Sequence, residues 1–184
     1  MKVMMKNILF TFIFMALSVS FASAQENKNM ETGNPIEAKR AEMKKLDRLV
    51  GQWQGTGWIQ QGKNRETFAG TENVQRKING LALLVEGNFK NKEGVVIHET
   101  LAVLSPNLKT KNYDFRAYLA SGNGGEYEFK QIETGWRWGF QFPNGVIRYD
   151  IKINNDVWLE TGEISQDTGK TWNKFFEMEL KKVK

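Results

Sequence analysis

Four kinds of side chain in this sequence could carry chemistry: one histidine, two glutamates in strand-like runs, a set of tryptophans, and an arginine among aromatic residues. His98 is the only imidazole of the chain. A single imidazole can ligate a haem iron, whereas a tetrahedral zinc site wants several Cys or His ligands. The chain has no cysteine, which excludes a thiol nucleophile and a disulfide framework. Pairing "LLVEGNFKNKEGVVIHETLAV" as a hairpin sets Leu83, Val85 and Phe89 opposite Val103, Leu101 and Ile97. That register puts Glu99 on the apolar face and His98 on the other, near Glu86 and Asn88. His98 then reads as an outer-face histidine bonded to Glu86 or water, and a Ser-His-Asp site lacks its base. No metal site and no cofactor are expected.

Glu160 joins Glu99 on the face read as interior. Two inward acids can divide acid and base roles if their environments push their proton affinities apart, as in glycoside hydrolysis. Otherwise they must be paired, hydrogen-bonded or wet. Arg116 in "YDFRAYLAS" is a candidate partner, although alternation with Phe115 and Ala117 turns it outward. Structural pairing or a wet lumen is the simplest account, ligand anchoring the next, and catalysis the least economical. Trp136, Trp138, Tyr149 and Trp158 share a face with one another and with Trp172. They could line a cavity for an apolar or planar ligand, with polar tips to orient it, or they could fill a small barrel. The glycine-rich "SGNGGEYE" joins two strands and opens no helix, so it lacks the helix N-terminus that holds phosphate.

The elements that must position these groups are mostly strands. From Ile36, the residues Met43, Leu46, Leu49 and Val50 share one helical face, and Gly51 stands where a C-cap would end the helix. After it, short alternating runs recur between turn signals such as "NKEG", "SGNGG", "FPNG", "NND" and "QDTG". Roughly ten strands follow from that rule. Without helical crossovers the sheet must be antiparallel, and closure removes its edges. The expected fold is all-β: a single up-and-down barrel over residues 36–184, preceded by one short helix.

Hairpin arithmetic places the large side chains. A two-residue loop at Asn154-Asn155 pairs Ile151 with Trp158. A Pro143-Asn144 loop pairs Phe140 with Ile147 and Trp138 with Tyr149. A loop at Asp167-Thr168-Gly169 pairs Ile164 with Trp172 and Glu160 with Phe176. All of them gather the apolar residues on one side, which a one-residue slip would scatter.

Residues 1–24 have the form of a cleaved leader: Lys2 and Lys6, the uncharged "ILFTFIFMALSVSF", then Ala22-Ser23-Ala24. The apolar run is roughly 14 residues, short of the roughly 20 that span a bilayer. Export to the periplasm or beyond is therefore expected, with no stable membrane anchor after cleavage. Residues 25–35 read as a flexible lead-in. The formal net charge of +5 falls with loss of the two leader lysines, and the remaining basic residues are interspersed with acids. That is no footprint for nucleic acid.

The stretches "LDRLVGQWQGTGW", "GVVIHETLAVLSPNLKTKNYDFRAY" and "WLETGEISQDTGKTWNKFFEMELKK" together resemble a family of bacterial lipocalin-like, calycin-type barrels of unknown function. The Gly51-Gln52-Trp53 motif after a short helix is similar to the opening of such barrels. The resemblance implies an antiparallel barrel with an internal cavity, a Trp53 that closes its floor, and no particular reaction. There is weaker similarity to nitrobindin-like haem barrels, in which an imidazole from the later strands ligates iron; this chain has no histidine after His98. The expected ligand is a small hydrophobic or amphipathic molecule. Trp136, Trp138, Tyr149 and Trp158 would give contact area, and Glu160, Glu99 or Arg116 would orient its polar end. A filled barrel acting as an interaction module, or an enzyme using Glu160 and Glu99, are the alternatives.

Overall fold

Pro35 fixes a helical φ at the first turn, and the Asn34 side chain accepts a hydrogen bond from the Ile36 amide at 3.0 Å. The computed structural model describes residues 34–184. The proposed leader (1–24) and residues 25–33 of the lead-in lie outside the described residues. Helix α1 (Pro35–Lys44) is followed by a 3-10 turn at Asp47–Leu49, so the expected single helix reaching Gly51 is two pieces. Leu46 leaves helical geometry (φ −93, ψ 6), and the bend turns Met43, Leu46 and Leu49 together into the barrel, where all three are buried. Gly51 begins the first strand instead of capping the helix. Its φ of +138 favours glycine, and a Cβ there would come within 2.5 Å of the Lys184 carbonyl oxygen.

Ten strands follow: β1 (Gly51–Gln61), β2 (Asn64–Lys77), β3 (Ala82–Lys90), β4 (Val96–Asn107), β5 (Asn112–Leu119), β6 (Gly124–Ile132), β7 (Gly135–Phe142), β8 (Gly145–Asn154), β9 (Val157–Ser165) and β10 (Asn173–Lys182). Each pairs antiparallel with its chain neighbour, and β1 pairs with β10, which closes the barrel. The meander and the closure are as the turn spacing predicts.

Registers decide which side chains enter the lumen. Trp138 faces Tyr149 and Phe140 faces Ile147, as expected. The β8–β9 turn falls one residue later than expected, at Asn155 and Asp156, both with positive φ. Ile151 therefore pairs with Glu160, and Trp158 with Ile153. The partner moves by two residues, so every side chain keeps its face.

Two bulges overturn expected placements. At the open end of the β3–β4 hairpin Lys90 pairs with Val96, but Phe89 pairs with His98. Ile97 is the extra residue, and beyond it β4 is shifted by one. His98, Thr100, Ala102 and Leu104 consequently face the lumen, while Glu99 and Leu101 face out. On β10 the register shifts between Lys174 and Phe176. Trp172 lies before the strand, packed under the Arg148 guanidinium at 3.8 Å, with its Nε1 donating to the Gly169 carbonyl. It is not part of the interior face.

The helix end of the barrel is solid. Trp53 is 1 % exposed, its Nε1 donates to the Leu49 carbonyl at 2.8 Å, and its ring meets Trp158 edge-on at 5.6 Å. Leu83, Leu104, Phe129, Trp136, Ile151 and Leu180 are buried around them. The plug is pinned by the Tyr113 hydroxyl donating to Glu42 O (3.1 Å) and by Arg48 donating to Ile153 O.

Candidate functional site

Above that floor the inward aromatic side chains form a collar. Starting on β4, the His98 ring lies 5.4 Å from Phe89 on β3, and Phe89 lies 5.3 Å from Phe68 on β2. Phe68 stacks on Phe176 of β10 at 5.8 Å, and Phe176 meets Tyr149 of β8 at 5.7 Å. Tyr149 stacks on Trp138 of β7 at 4.3 Å with only 11° between planes. Tyr127 of β6 and Phe115 of β5 continue the series, at 5.6 Å from Trp138 and 5.8 Å from each other. Apart from the tighter Tyr149–Trp138 stack, these centroid separations lie within the range of favourable aromatic pairing.

The two strands missing from the collar contribute glycine. Gly57 of β1 lies opposite Phe68, with Ile59 opposite Phe176, and Tyr149 and Phe176 meet across Gly162 of β9. A Cβ at Gly162 would lie 2.8 Å from both Tyr149 and Phe176. Between β4 and β5 the facing pair is Ala102 and Ala117, so the collar has one gap lined by methyl groups. Phe68 and Phe89 of the collar are buried, while Phe115, Tyr127, Trp138, Phe140, Tyr149 and Phe176 are half-buried. An inward side chain of a closed barrel reaches solvent through the lumen, so this half is open where the helix half is filled.

Two carboxyls lie one inward step below the collar. Glu160, 8 % exposed, sits two residues before Gly162 and accepts from Trp138 Nε1 and Trp158 Nε1, both at 3.2 Å. Burial pushes its pKa up to about 7 against the opposing pull of the two indole donors. Glu72, two residues after Gly70, packs over Gly87, where a Cβ would stand 2.8 Å from its Oε1. Its Oε2 is buried without a hydrogen-bond partner. Burial, and then the Glu160 charge, raise its pKa to about 8. Among the described residues neither acid belongs to an ion pair. Burial keeps the Tyr149 hydroxyl protonated.

The structure brings together Trp138, Tyr149, Trp158 and Glu160 from the residues expected at the site. Trp136 belongs to the buried floor, with its Nε1 unpartnered. Glu99 is on the outer face, so it does not pair with Glu160 across the lumen. Arg116 is also outside, 3.0 Å from Glu126. Glu72 takes the place expected for Glu99. Its signal was present in "TFAGTENVQ", where Phe68, Gly70, Glu72 and Val74 share one parity. His98 faces the lumen near its mouth, with Nε2 2.5 Å from Thr100 Oγ1, and desolvation lowers its pKa. A haem barrel of the nitrobindin kind needs an imidazole from the later strands; β5 to β10 carry none, and the donor set does not fit. Among the described residues no group of three or more acidic, His or Cys side chains is placed to hold a metal ion.

Two grooves lie outside the lumen. One, of about 570 Å³, runs over the outer faces of β2 to β5 past Asn73, Glu86, Glu99, Leu101 and Tyr118. The other, of about 490 Å³, lies at the closed end between Arg48, Trp136 and Lys152.

Fold and site together define a closed ten-stranded antiparallel barrel, plugged at one end and opening at the other into an aromatic cup over two acids. No family model matches the chain, and no curated protein matches it. Among solved structures, the crystal structure of Rv2717c from M. tuberculosis is similar in fold, with a TM-score of 0.63 at 12% identity, covering 78% of this chain and 98% of that one. At that identity the likeness concerns the fold alone.

Proposed function

We propose that this is an exported barrel that binds a small, largely hydrophobic molecule in the open half of its lumen. The observation that carries the reading is the half-buried aromatic collar above a solid floor. It offers desolvated ring faces to a guest and a polar anchor, Glu160, at the depth where the guest would stop. The leader-like residues 1–24 support export. Ligand pockets combine an apolar lining with a few placed polar groups, and Trp138 does both, since it stacks in the collar and donates to Glu160.

Titration with the uncharged fluorophore prodan tests this. The expected result is one saturable site with energy transfer from tryptophan, weakened at least tenfold by Gly162→Val, which pushes Tyr149 and Phe176 into the lumen. Native mass spectrometry of protein from its own host should show a non-covalent mass that denaturation removes. Absence of saturable binding together with absence of any such mass overturns the reading.

A further inference from the structure

The acids beneath the collar ask for something the protein does not supply. A buried carboxyl is normally paired with a cation or fully hydrogen-bonded. Glu160 has its two indole donors, but Glu72 Oε2 has none. The inward lysine of β10, Lys182, is at the closed end with its Nζ 5.2 Å from the Trp53 ring, and no lysine or arginine acts on either acid. Ring faces attract cations through their quadrupoles, and sets of aromatic walls are the usual receptacle for alkylated ammonium groups. The collar supplies such walls directly above the two carboxyls.

Resting on the reading of the lumen as a binding site, we infer that its guest is an organic cation: an amphipathic amine or quaternary ammonium whose charged nitrogen descends through the collar toward Glu72 and Glu160. The cation supplies the missing partner of Glu72, and the collar covers its alkyl or aryl portion. Binding converts a neutral acid into a carboxylate, so it releases a proton at neutral pH. The other titratable groups facing this space are Tyr127 on β6, Tyr149 on β8 and, at the mouth, His98 on β4 and, by strand parity, Glu66 on β2. Tyr149 stays protonated and so adds no negative charge, and His98 is biased toward its neutral form and so puts little positive charge in the guest's path.

Phenyltrimethylammonium and its uncharged near-isostere tert-butylbenzene separate the possibilities, with calorimetry on the full domain at pH 6 and pH 9. The cation, which does not itself titrate, should bind at pH 9 at least tenfold more tightly than the hydrocarbon and should lose most of that advantage at pH 6. The hydrocarbon should bind alike at both. Glu72→Gln and Glu160→Gln should each reduce the preference for the cation, and Glu72→Gln, whose amide is close in shape to its acid, should leave tert-butylbenzene unaffected. The pH comparison on the unaltered protein stands even if a variant fails to fold. Equal affinity for the two compounds at pH 9, or a preference indifferent to pH and to both substitutions, overturns the cation assignment while leaving the lumen as a binding site. Failure of both compounds to bind overturns both readings.

Discussion

An acid enclosed in a barrel with no cation beside it is held neutral by its surroundings, and that makes the fold sensitive to pH in an unusual direction. Glu72 goes from 4.5 when exposed to about 8 in the native protein, and Glu160 from 4.5 to about 7. Between those values the native state holds more protons than the unfolded chain, so stability must fall as pH rises through this window and level off above it. Below about 4.5 both states are protonated and the contribution is complete. Glu72→Gln removes the larger of the two burdens. Its melting temperature should lie close to the parent's at pH 4 and clearly above it at pH 9, because the parent alone must deprotonate an enclosed acid as pH rises through that window. Parallel melting curves for the two proteins across this range would contradict the enclosure of Glu72. The residue was legible in principle, because strand parity alone puts it with Phe68 and Val74. Glu99 masks it, because an unbroken β4 would turn Glu99 inward and a single extra residue turns it outward.

That extra residue belongs to the scale of elements. Turn chemistry located the hairpins well, and where a turn was misplaced by one residue, as at Asn155-Asp156, the error moved the partner by two and cost nothing in facing. A bulge is different, because it changes parity within a strand whose composition gives no warning: "VVIHETLAVL" alternates plausibly in either phase. The expected register was correct at Lys90–Val96 and wrong from His98 onward for that reason alone. The plug shows the opposite case. Met43, Leu46 and Leu49 were legible as one apolar face, although the bend after α1 was not, since a 3-10 turn keeps nearly the same side of the chain buried. Leu46 is fully enclosed at the junction, so Leu46→Ala should cost about 2–5 kcal/mol in denaturant unfolding. Ile36→Ala, at a position 47 % exposed, should be close to neutral. Equal effects of the two would mean that the helix does not seal the barrel.

At the scale of the molecule, alternation and turn spacing were enough for the strand number, the absence of crossovers and the closure. The division into a filled half and an open half was not legible, because Trp136 and Trp138 read alike in sequence and only their height in the barrel separates floor from collar. Closure itself rests on one ladder, Trp53–Ile59 against Phe176–Lys182, supplemented by bonds between Gln52 and the last two residues. A chain stopped before β10 leaves β1 and β9 as bare edges. It should give no cooperative thermal transition and should yield to protease within the time the full chain resists it. Cooperative melting of such a chain would show that the other nine strands are self-sufficient.

The same ladder has a meaning for biosynthesis. Its two halves stand at opposite ends of the strand series, so the first strand to leave the ribosome waits for the last before its outer edge is satisfied. Pairing so distant in sequence is slow to form, and until then β1 keeps a bare edge. Under the export proposed above, that delay would leave the last seam of the barrel to close after passage through the secretion channel.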